Sequence, residues 1–267
     1  MLPGLLLVIC LFVLPVGFVF QISLFDPSFA LDHFERFFTR GPYLKILWNT
    51  LSLSGIVAFS CLLIGYPVAY FIVRQPPRSR PFLLFVILVP MWMSILARTY
   101  SWMVVLGQEG IINQMLLFIG FIDAPVQMLF TTGAVYVAMI QIMLPILIVT
   151  CVSSMTEIDQ SLLRAARTMG ASPRRAFREV FLPLSAEGAV TSTLIVFILS
   201  VGFFIVPALI GGRKDVLLAN LISRQVTQTN WGFAAAMAII MLLAVLVIML
   251  VVRLVSARFI HHEREAR

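Results

Sequence analysis

The sequence predicts an all-α integral membrane protein built on six transmembrane helices. Three observations carry that prediction. Hydrophobic residues make up 61% of the chain and charged residues 12%, with a mean hydropathy of +1.03, whereas about a quarter of a soluble globular domain is charged. Apolar runs long enough for a span of about 20 residues recur at 2–22, 50–73, 82–106, 132–153, 188–210 and 232–254. Basic residues also alternate in density from loop to loop: twelve Lys and Arg fall at 74–80, 164–178 and 253–267, and seven at 36–45, 98 and 213–224. The richer side is cytoplasmic by the positive-inside rule, which places both termini and the 154–186 loop in the cytoplasm. The net charge of +7 then follows from topology and calls for no nucleic-acid partner. The whole chain, 1–267, reads as a single membrane domain.

The first run carries no Lys or Arg before Arg36 and is longer than the apolar core of a secretory signal. It is therefore expected to be a retained span, and its missing basic flank points to a few residues absent from the N-terminus. Residues 23–49 form the first external segment, with a turn at Asp26-Pro27-Ser28 and an interfacial helix that sets His33, Glu35 and Arg36 among phenylalanines. The second and third runs are joined by Arg74-Gln-Pro-Pro-Arg-Ser-Arg-Pro81, a tight basic turn. Residues 107–131 read as an interfacial or re-entrant hairpin: a Gly107-Gln-Glu-Gly110 turn opens it, and Pro125 ends a stretch too short to span. The last external loop, 211–231, opens at Gly211-Gly212. Pro67, Pro90, Pro145 and Pro207 fall inside apolar runs, where each removes a backbone hydrogen bond and is expected to kink its helix.

The longest polar-rich interruption is the 154–186 loop, which reads as two short amphipathic helices. At about 100° per residue, Ile158, Leu162, Ala165, Ala166 and Met169 share one face, while Gln160, Arg164 and Arg167 lie opposite. Gly170 sits where a glycine ends a helix, and Ser172-Pro173 supplies an N-cap followed by proline at the first helical position. The second helix presents Phe177, Val180, Phe181 and Leu184 against Arg174, Arg175, Arg178 and Glu179. A capped helix–turn–helix between two spans offers a docking surface to something outside the membrane.

The chemistry of enzymes is missing. No Gly-x-x-x-x-Gly-Lys-Ser/Thr run is present to cradle a phosphate, and no nucleophile–base set or metal-ligand spacing occurs. The histidines are His33, His261 and His262, in a loop and the tail. The set of catalytic residues and the set of metal ligands are both read as empty. Cys10, Cys61 and Cys151 lack paired spacing and are expected to be buried small hydrophobes. No Asp or Glu falls inside a predicted span, so a proton- or sodium-driven relay has no residues to run on. Arg98 is the one basic residue placed within a span, with Trp92, Tyr100 and Trp102 around it. Two readings of it stay open. An intramembrane ionisable group marks a functional site, and those four residues would border a solute pathway; alternatively, the arginine snorkels to the interface beside an aromatic belt.

The loop resembles the "EAA" coupling loop of the permease subunits of binding-protein-dependent ABC importers with the type I fold. That pattern runs Glu-Ala-Ala, three residues, Gly, nine residues, Ile, one residue, Leu-Pro. Ala165-Ala166, Gly170, Val180 and Leu182-Pro183 fall on that register, with Val for Ile, and Arg164 stands where the pattern has glutamate. The resemblance implies the type I permease fold, with Arg164, Ala165, Ala166, Gly170, Ala171, Ser172, Pro173, Leu182 and Pro183 coupling the chain to an ATPase. It also implies a bacterial inner-membrane location, a second homologous permease subunit (another chain or a second copy), two cytoplasmic ATPase subunits and an external binding protein. No cofactor belongs to this chain on that reading; ATP and Mg²⁺ are bound by the partner ATPase. Arg98-Thr-Tyr-Ser-Trp102, Gly110-Ile-Ile-Asn113 and Val206-Pro-Ala-Leu-Ile-Gly-Gly212 resemble the spermidine/putrescine-type branch, which implies import of a polyamine. Relatives of that branch carry opines, phosphonates, amino-acid-like compounds or ferric iron. The rival classes are a secondary transporter, which would show acidic residues in its spans, and a membrane scaffold that moves no solute.

Overall fold

The computed structural model describes residues 7, 9–25 and 31–265, and among them the chain is helical with no strand. The predicted turn at Asp26-Pro27-Ser28 and the start of the first predicted span lie outside the described residues. A π-helical turn (Ile9–Val13) leads into α1 (Leu14–Phe25), followed by α2 (Asp32–Thr39) and α3 (Tyr43–Val73). Next come α4 (Arg80–Leu88), a 3₁₀ turn (Val89–Trp92), α5 (Ile95–Val105), α6 (Ile111–Phe118) and α7 (Thr132–Thr156). The loop region holds α8 (Gln160–Thr168), α9 (Pro173–Ala176) and a π-turn (Phe177–Phe181) that runs directly into α10 (Leu182–Val201). The chain closes with α11 (Ile205–Ile210), α12 (Leu218–Thr227) and α13 (Trp231–Glu265).

Four helical stretches are long and apolar enough to cross a bilayer: Tyr43–Val73, Thr132–Thr156, Pro173–Val201 and Trp231–Ser256. A fifth arises if Arg80–Trp92 and Ile95–Val105 count as one span, although the two halves meet at 88°. The bend follows Pro90, where a kink in the 82–106 run is expected, and it is sharp enough to split the run into two helices. Met93 and Ser94 take extended backbone (ψ 143° and 139°) between the halves. Hydropathy registers apolar length and is blind to direction, so both halves read as one run. The run at 188–210 needs a correction. Its helix begins far earlier, at Pro173, and stops at Val201; Gly202–Phe204 separate it from α11. Glu187 therefore lies within a candidate span, where the sequence reading placed no acid. Pro67 and Pro145 sit in α3 and α7, which continue unbroken past them.

The core forms where α3, α7 and α10 pack together. Val57, Ala58, Cys61 and Ala69 of α3 meet Val135, Ala138, Met139, Leu147 and Cys151 of α7, with Val196 and Phe197 of α10 closing the cluster. In lipid, helices associate through close packing of small residues more than through burial of apolar area. The inner face of α10 fits that rule with Ser185, Ala189, Ser192 and Ser200 all buried. Gly188 completes the close approach, because a Cβ there would overlap the Ser154 side chain of α7. Tyr66 Oη and Ser185 Oγ, 2.6 Å apart, join α3 to α10. A second cluster gathers Phe37 of α2, Leu218 of α12 and Phe233, Met237 and Ile240 of α13. The expected interfacial helix is α2, with Arg36 lying 4.5 Å over the Phe233 ring. Cys61 and Cys151 are buried as expected, but Cys10, in the π-helical turn, is exposed.

Candidate functional site

The loop helices form as their local chemistry dictates. Asp159 caps α8: its carboxylate accepts the Ser161 N–H at 2.8 Å and the Ser161 hydroxyl at 2.6 Å. Those two bonds hold the Asp159 carboxyl below its ordinary pKa. The far end of α8 closes as a Schellman motif. The Ala171 N–H donates to the Ala166 carbonyl and the Gly170 N–H to the Arg167 carbonyl, each at 3.0 Å. Gly170 carries the φ of +88° that this closure needs. Ser172 takes extended backbone and its hydroxyl accepts the Arg175 N–H at 3.3 Å, with Pro173 at the first helical position. The second helix then continues without a gap into the span α10.

The apolar stripe on α8 faces outward. Leu162, Ala165 and Met169 are exposed, Met169 by 85%. The inward contacts come from Ile158, Leu163 and Phe177, which pack on the core cluster. Leu163 lies one position off the stripe, so a helical wheel locates the stripe without saying which edge meets the protein. On the second helix Phe177 and Phe181 stack on each other at 5.8 Å and meet Tyr70 of α3 edge-on at 4.8 and 4.9 Å, while Arg174, Arg175, Arg178 and Glu179 stay exposed. Arg164 is exposed, Ala166, Ala171 and Pro183 are half-buried, and Leu182 is on the surface. The expected loop residues thus sit together at one end of the bundle, with Leu162, Ala165 and Met169 forming an apolar ridge between arginines.

A second candidate site lies deeper. A cavity of about 460 Å³ opens where the two broken spans meet. Met91, Met93 and Ser94 border it from the 88° bend, Ile142, Met143 and Ile146 from α7, Leu199 from the last turns of α10 and Phe203 from the break after it. Arg98 is its charged residue. Arg98 is 8% exposed, and its Nε and Nη1 are buried without a hydrogen-bond partner. Orphaned donors of this kind cost about 1–3 kcal/mol, more when charged. Within this chain the guanidinium is packed against the cavity wall rather than extended along the helix surface. Trp92, Tyr100 and Trp102 do not enclose the cavity with it. Trp92 is 74% exposed and sits edge-on to Phe85, Tyr100 is exposed, and Trp102 donates its Nε1 to Gln141 at 3.2 Å. Two residues apart on a helix is about 200° of rotation, so Tyr100 faces away from Arg98.

Two further cavities lie toward the helix ends. One of about 570 Å³, between the end of α7 and α10, is bordered by Glu157, Asp159 and Glu187. At the opposite end one of about 590 Å³ is bordered by Lys45, Arg213, Lys214, Arg224 and Asp215. Asp215 is buried, accepting the Thr132 hydroxyl at 2.6 Å and the Gly212 N–H at 2.8 Å. Asn113 is buried as well, and staples the 107–131 hairpin by donating to the Gly107 and Val126 carbonyls and accepting the Val126 N–H. In the sequence Asp215 carries one signal, its place three residues after a Gly-Gly pair. Among the described residues no cluster of three His, Cys, Asp or Glu is arranged to hold a metal.

Residues 61–261 match the family model described as "Binding-protein-dependent transport system inner membrane component". The chain is 37% identical over 212 residues to the spermidine/putrescine transport system permease protein PotB of Salmonella typhimurium strain LT2, covering 79% of this chain and 74% of that one. To the protein of the same name in Haemophilus influenzae it is 39% identical over 198 residues, 74% and 69% of the two chains. The inner membrane ABC transporter permease protein YdcU of Escherichia coli is 27% identical over 227 residues, 80% and 72% of the two chains. Among solved structures, a bacterial ABC transporter that imports the acidic polysaccharide alginate superposes with a TM-score of 0.80, at 21% identity, over 96% of this chain and 93% of that one. The MetNI methionine ABC transporter in an inward-facing form gives a TM-score of 0.56 at 18% identity, over 82% and 95%. The chain belongs to the inner-membrane-component family of binding-protein-dependent transport systems, and its fold is that of ABC importer permeases.

Proposed function

We propose that this family member is the permease subunit of an ATP-driven importer and that its solute is a polyamine of the spermidine/putrescine kind. One observation carries the reading: identity of 37–39% to polyamine permeases over about three quarters of both chains. Six spans cross the inner membrane on this reading, the helix Ile9–Phe25 and the bent pair Arg80–Val105 completing the four long ones. Both termini and the α8–α9 loop face the cytoplasm, in keeping with the basic-residue asymmetry. The assembly comprises this chain, a second homologous permease, two ATPase subunits that bind ATP and Mg²⁺, and an external binding protein. No cofactor belongs to this chain.

The loop couples hydrolysis to transport. The ridge of Leu162, Ala165 and Met169 enters a groove on the ATPase, and the exposed Arg174, Arg175 and Arg178 of the second loop helix fix its register. The second loop helix is continuous with α10, so displacement of the loop is carried along a rigid rod into the core. Aromatic packing of Phe177 and Phe181 on Tyr70 transmits the same motion to α3. The core then rocks between two packings, as alternating access requires. The cavity at the broken spans, bordered by Arg98, lies on the solute's path, since broken helices at membrane depth are tolerated where they border a cavity. Glu157, Asp159 and Glu187 at the loop end offer a polycation the carboxylates it lacks at Arg98.

Arg98 favours one second reading, an anionic or zwitterionic solute that satisfies the orphaned guanidinium. The test is reconstitution of the permease pair with its ATPase and binding protein in liposomes, followed by ATP-dependent uptake of radiolabelled spermidine and putrescine. Saturable uptake competed by unlabelled polyamine supports the reading. ATP-dependent uptake of acidic or zwitterionic solutes in place of polyamines moves the assignment to the second one.

A further inference from the structure

Four arginines from three separate segments border a single cavity of about 330 Å³. Arg74 follows the last turn of α3, Arg80 opens α4, and Arg164 and Arg167 lie one turn apart on α8. Tyr70, Phe177 and Phe181 provide an aromatic wall, and no Asp or Glu borders the space. The contacts that orient two of these guanidiniums are neutral. Arg74 lies 5.3 Å over the Tyr70 ring with its Nη1 donating to the Tyr70 hydroxyl at 3.3 Å, and Arg80 donates its Nε to the Gln75 carbonyl at 2.8 Å. Asp159, whose carboxyl feels the Arg164 charge, lies outside the cavity and is committed to Ser161.

Like charges gathered without a counter-charge repel one another, and the repulsion is relieved when an anion enters. Guanidinium forks match the oxygens of a phosphate, with several donors converging from different directions. The place also matters. The cavity lies where the candidate span α3 ends and a basic turn begins, with aromatic side chains beside it, which is where headgroups would sit around a helix that crosses a bilayer. We propose that this cavity binds the phosphate group of an anionic phospholipid, which ties α8 to the ends of α3 and α4. The lipid would thereby hold the loop in one orientation relative to the span beneath it. This inference needs the chain to lie in a membrane and is independent of which solute is carried.

The experiment uses the complete transporter, purified in detergent and titrated with phosphatidylglycerol or phosphatidylcholine. Bound lipid is counted by native mass spectrometry and the thermal unfolding midpoint is followed. Phosphatidylglycerol should remain bound and raise the midpoint, and phosphatidylcholine should do neither. Removing one charge with Arg80→Gln should weaken phosphatidylglycerol binding about fivefold, and the charge reversal Arg164→Glu about thirtyfold, from about one tenfold step per 1.4 kcal/mol and about 1 kcal/mol per basic residue. Should Arg164→Glu fail to assemble, Arg80→Gln alone decides. Phosphatidylglycerol affinity unchanged in Arg80→Gln overturns the site. Inorganic phosphate that raises the midpoint and displaces the lipid overturns the lipid as its source. A charge effect seen only with the ATPase present, and without bound lipid, overturns the proposal in favour of an acidic protein surface.

Discussion

The Thr132 hydroxyl donates to the Asp215 carboxylate at 2.6 Å, joining the first turn of α7 to a loop 83 positions later. The second carboxylate oxygen takes the Gly212 N–H at 2.8 Å, and Asp215 is 5% exposed. A buried carboxylate held by two donors fixes the loop that leads from α11 to α12. No side chain fits at Gly212, where a Cβ would overlap the Phe130 carbonyl. Replacing Asp215 by Ala should therefore cost about 1–3 kcal/mol and lower the unfolding midpoint of the purified transporter. Thr132→Val should cost less, because Gly212 still satisfies the acid. An Asp215→Ala protein as heat-stable as the parent would show that the loop is held by packing alone.

Gly170 makes a second prediction. Its φ of +88° costs a Cβ-bearing residue about 1 kcal/mol, although nothing within 4 Å would meet that Cβ. Gly170→Ala should leave the protein in the membrane at normal abundance yet loosen the turn between α8 and α9. Gly170→Val should do so more strongly, and Ala166→Asp should spoil the same helix end by placing a charge where Ala166 is half-buried. Co-purification of the ATPase should fall in all three, and uptake with it. Full ATPase retention and normal transport in Gly170→Val and Ala166→Asp would exclude the loop as the coupling element.

The cap of α8 responds to pH. Asp159 has its carboxyl depressed by the Ser161 hydroxyl and N–H, so the cap's contribution is present above the ordinary carboxyl value of 3.8 and is lost as pH falls through the lowered one. Amide exchange in 160–168 should stay slow down to pH 3.8 and accelerate below it. In Asp159→Asn that acid-dependent step should vanish, leaving a pH-independent protection. A parent protein with no such step would mean the cap does not limit helix opening.

Arg98 should discriminate between solute classes and leave assembly unchanged. If a solute or a partner chain satisfies its orphaned Nε and Nη1 during transport, Arg98→Ala removes a charge-assisted contact of about 1.5–3 kcal/mol, equivalent to roughly a tenfold to hundredfold fall in uptake. Basal ATPase activity should remain. For an anionic solute Arg98→Lys should recover part of the loss, while for a polyamine Arg98→Ala should be neutral or accelerate entry. Failure of the variant to assemble would make the arginine structural.

Gly188 tests the core. Its missing side chain lets α10 approach Ser154 of α7, so Gly188→Val should overpack the interface by about 1–3 kcal/mol. Ser154→Gly should restore much of what Gly188→Ala loses, since the two residues compete for one volume. Additive losses in the double variant would place the clash elsewhere.

Local chemistry made part of this protein legible in advance. The cap at Ser172 and the turn at Gly170 involve bonds between residues three to five apart, and residue type decides such bonds. Apolar length likewise announced α3, α7 and α13. The inward edge of α8 was not legible, because Leu162 and Leu163 are equally apolar and only the neighbour decides which of them packs. Nor were the companions of Arg98: Trp92, Tyr100 and Trp102 are close in sequence but point elsewhere, and Met143, Ile146 and Phe203 arrive from segments far along the chain.

By itself the sequence determined the solvent, the helical class and the loop's capped form, because composition, period and capping act over a few residues. Tertiary structure alone decided how sharply the third span turns, which charges share a cavity and which donor is left without a partner. Direction at Met93 and Ser94 depends on what α7 and α10 offer the bent chain, and convergence of Arg74, Arg80, Arg164 and Arg167 depends on three helix ends meeting. Those are relations between distant segments, set by packing geometry that no local window of the sequence contains.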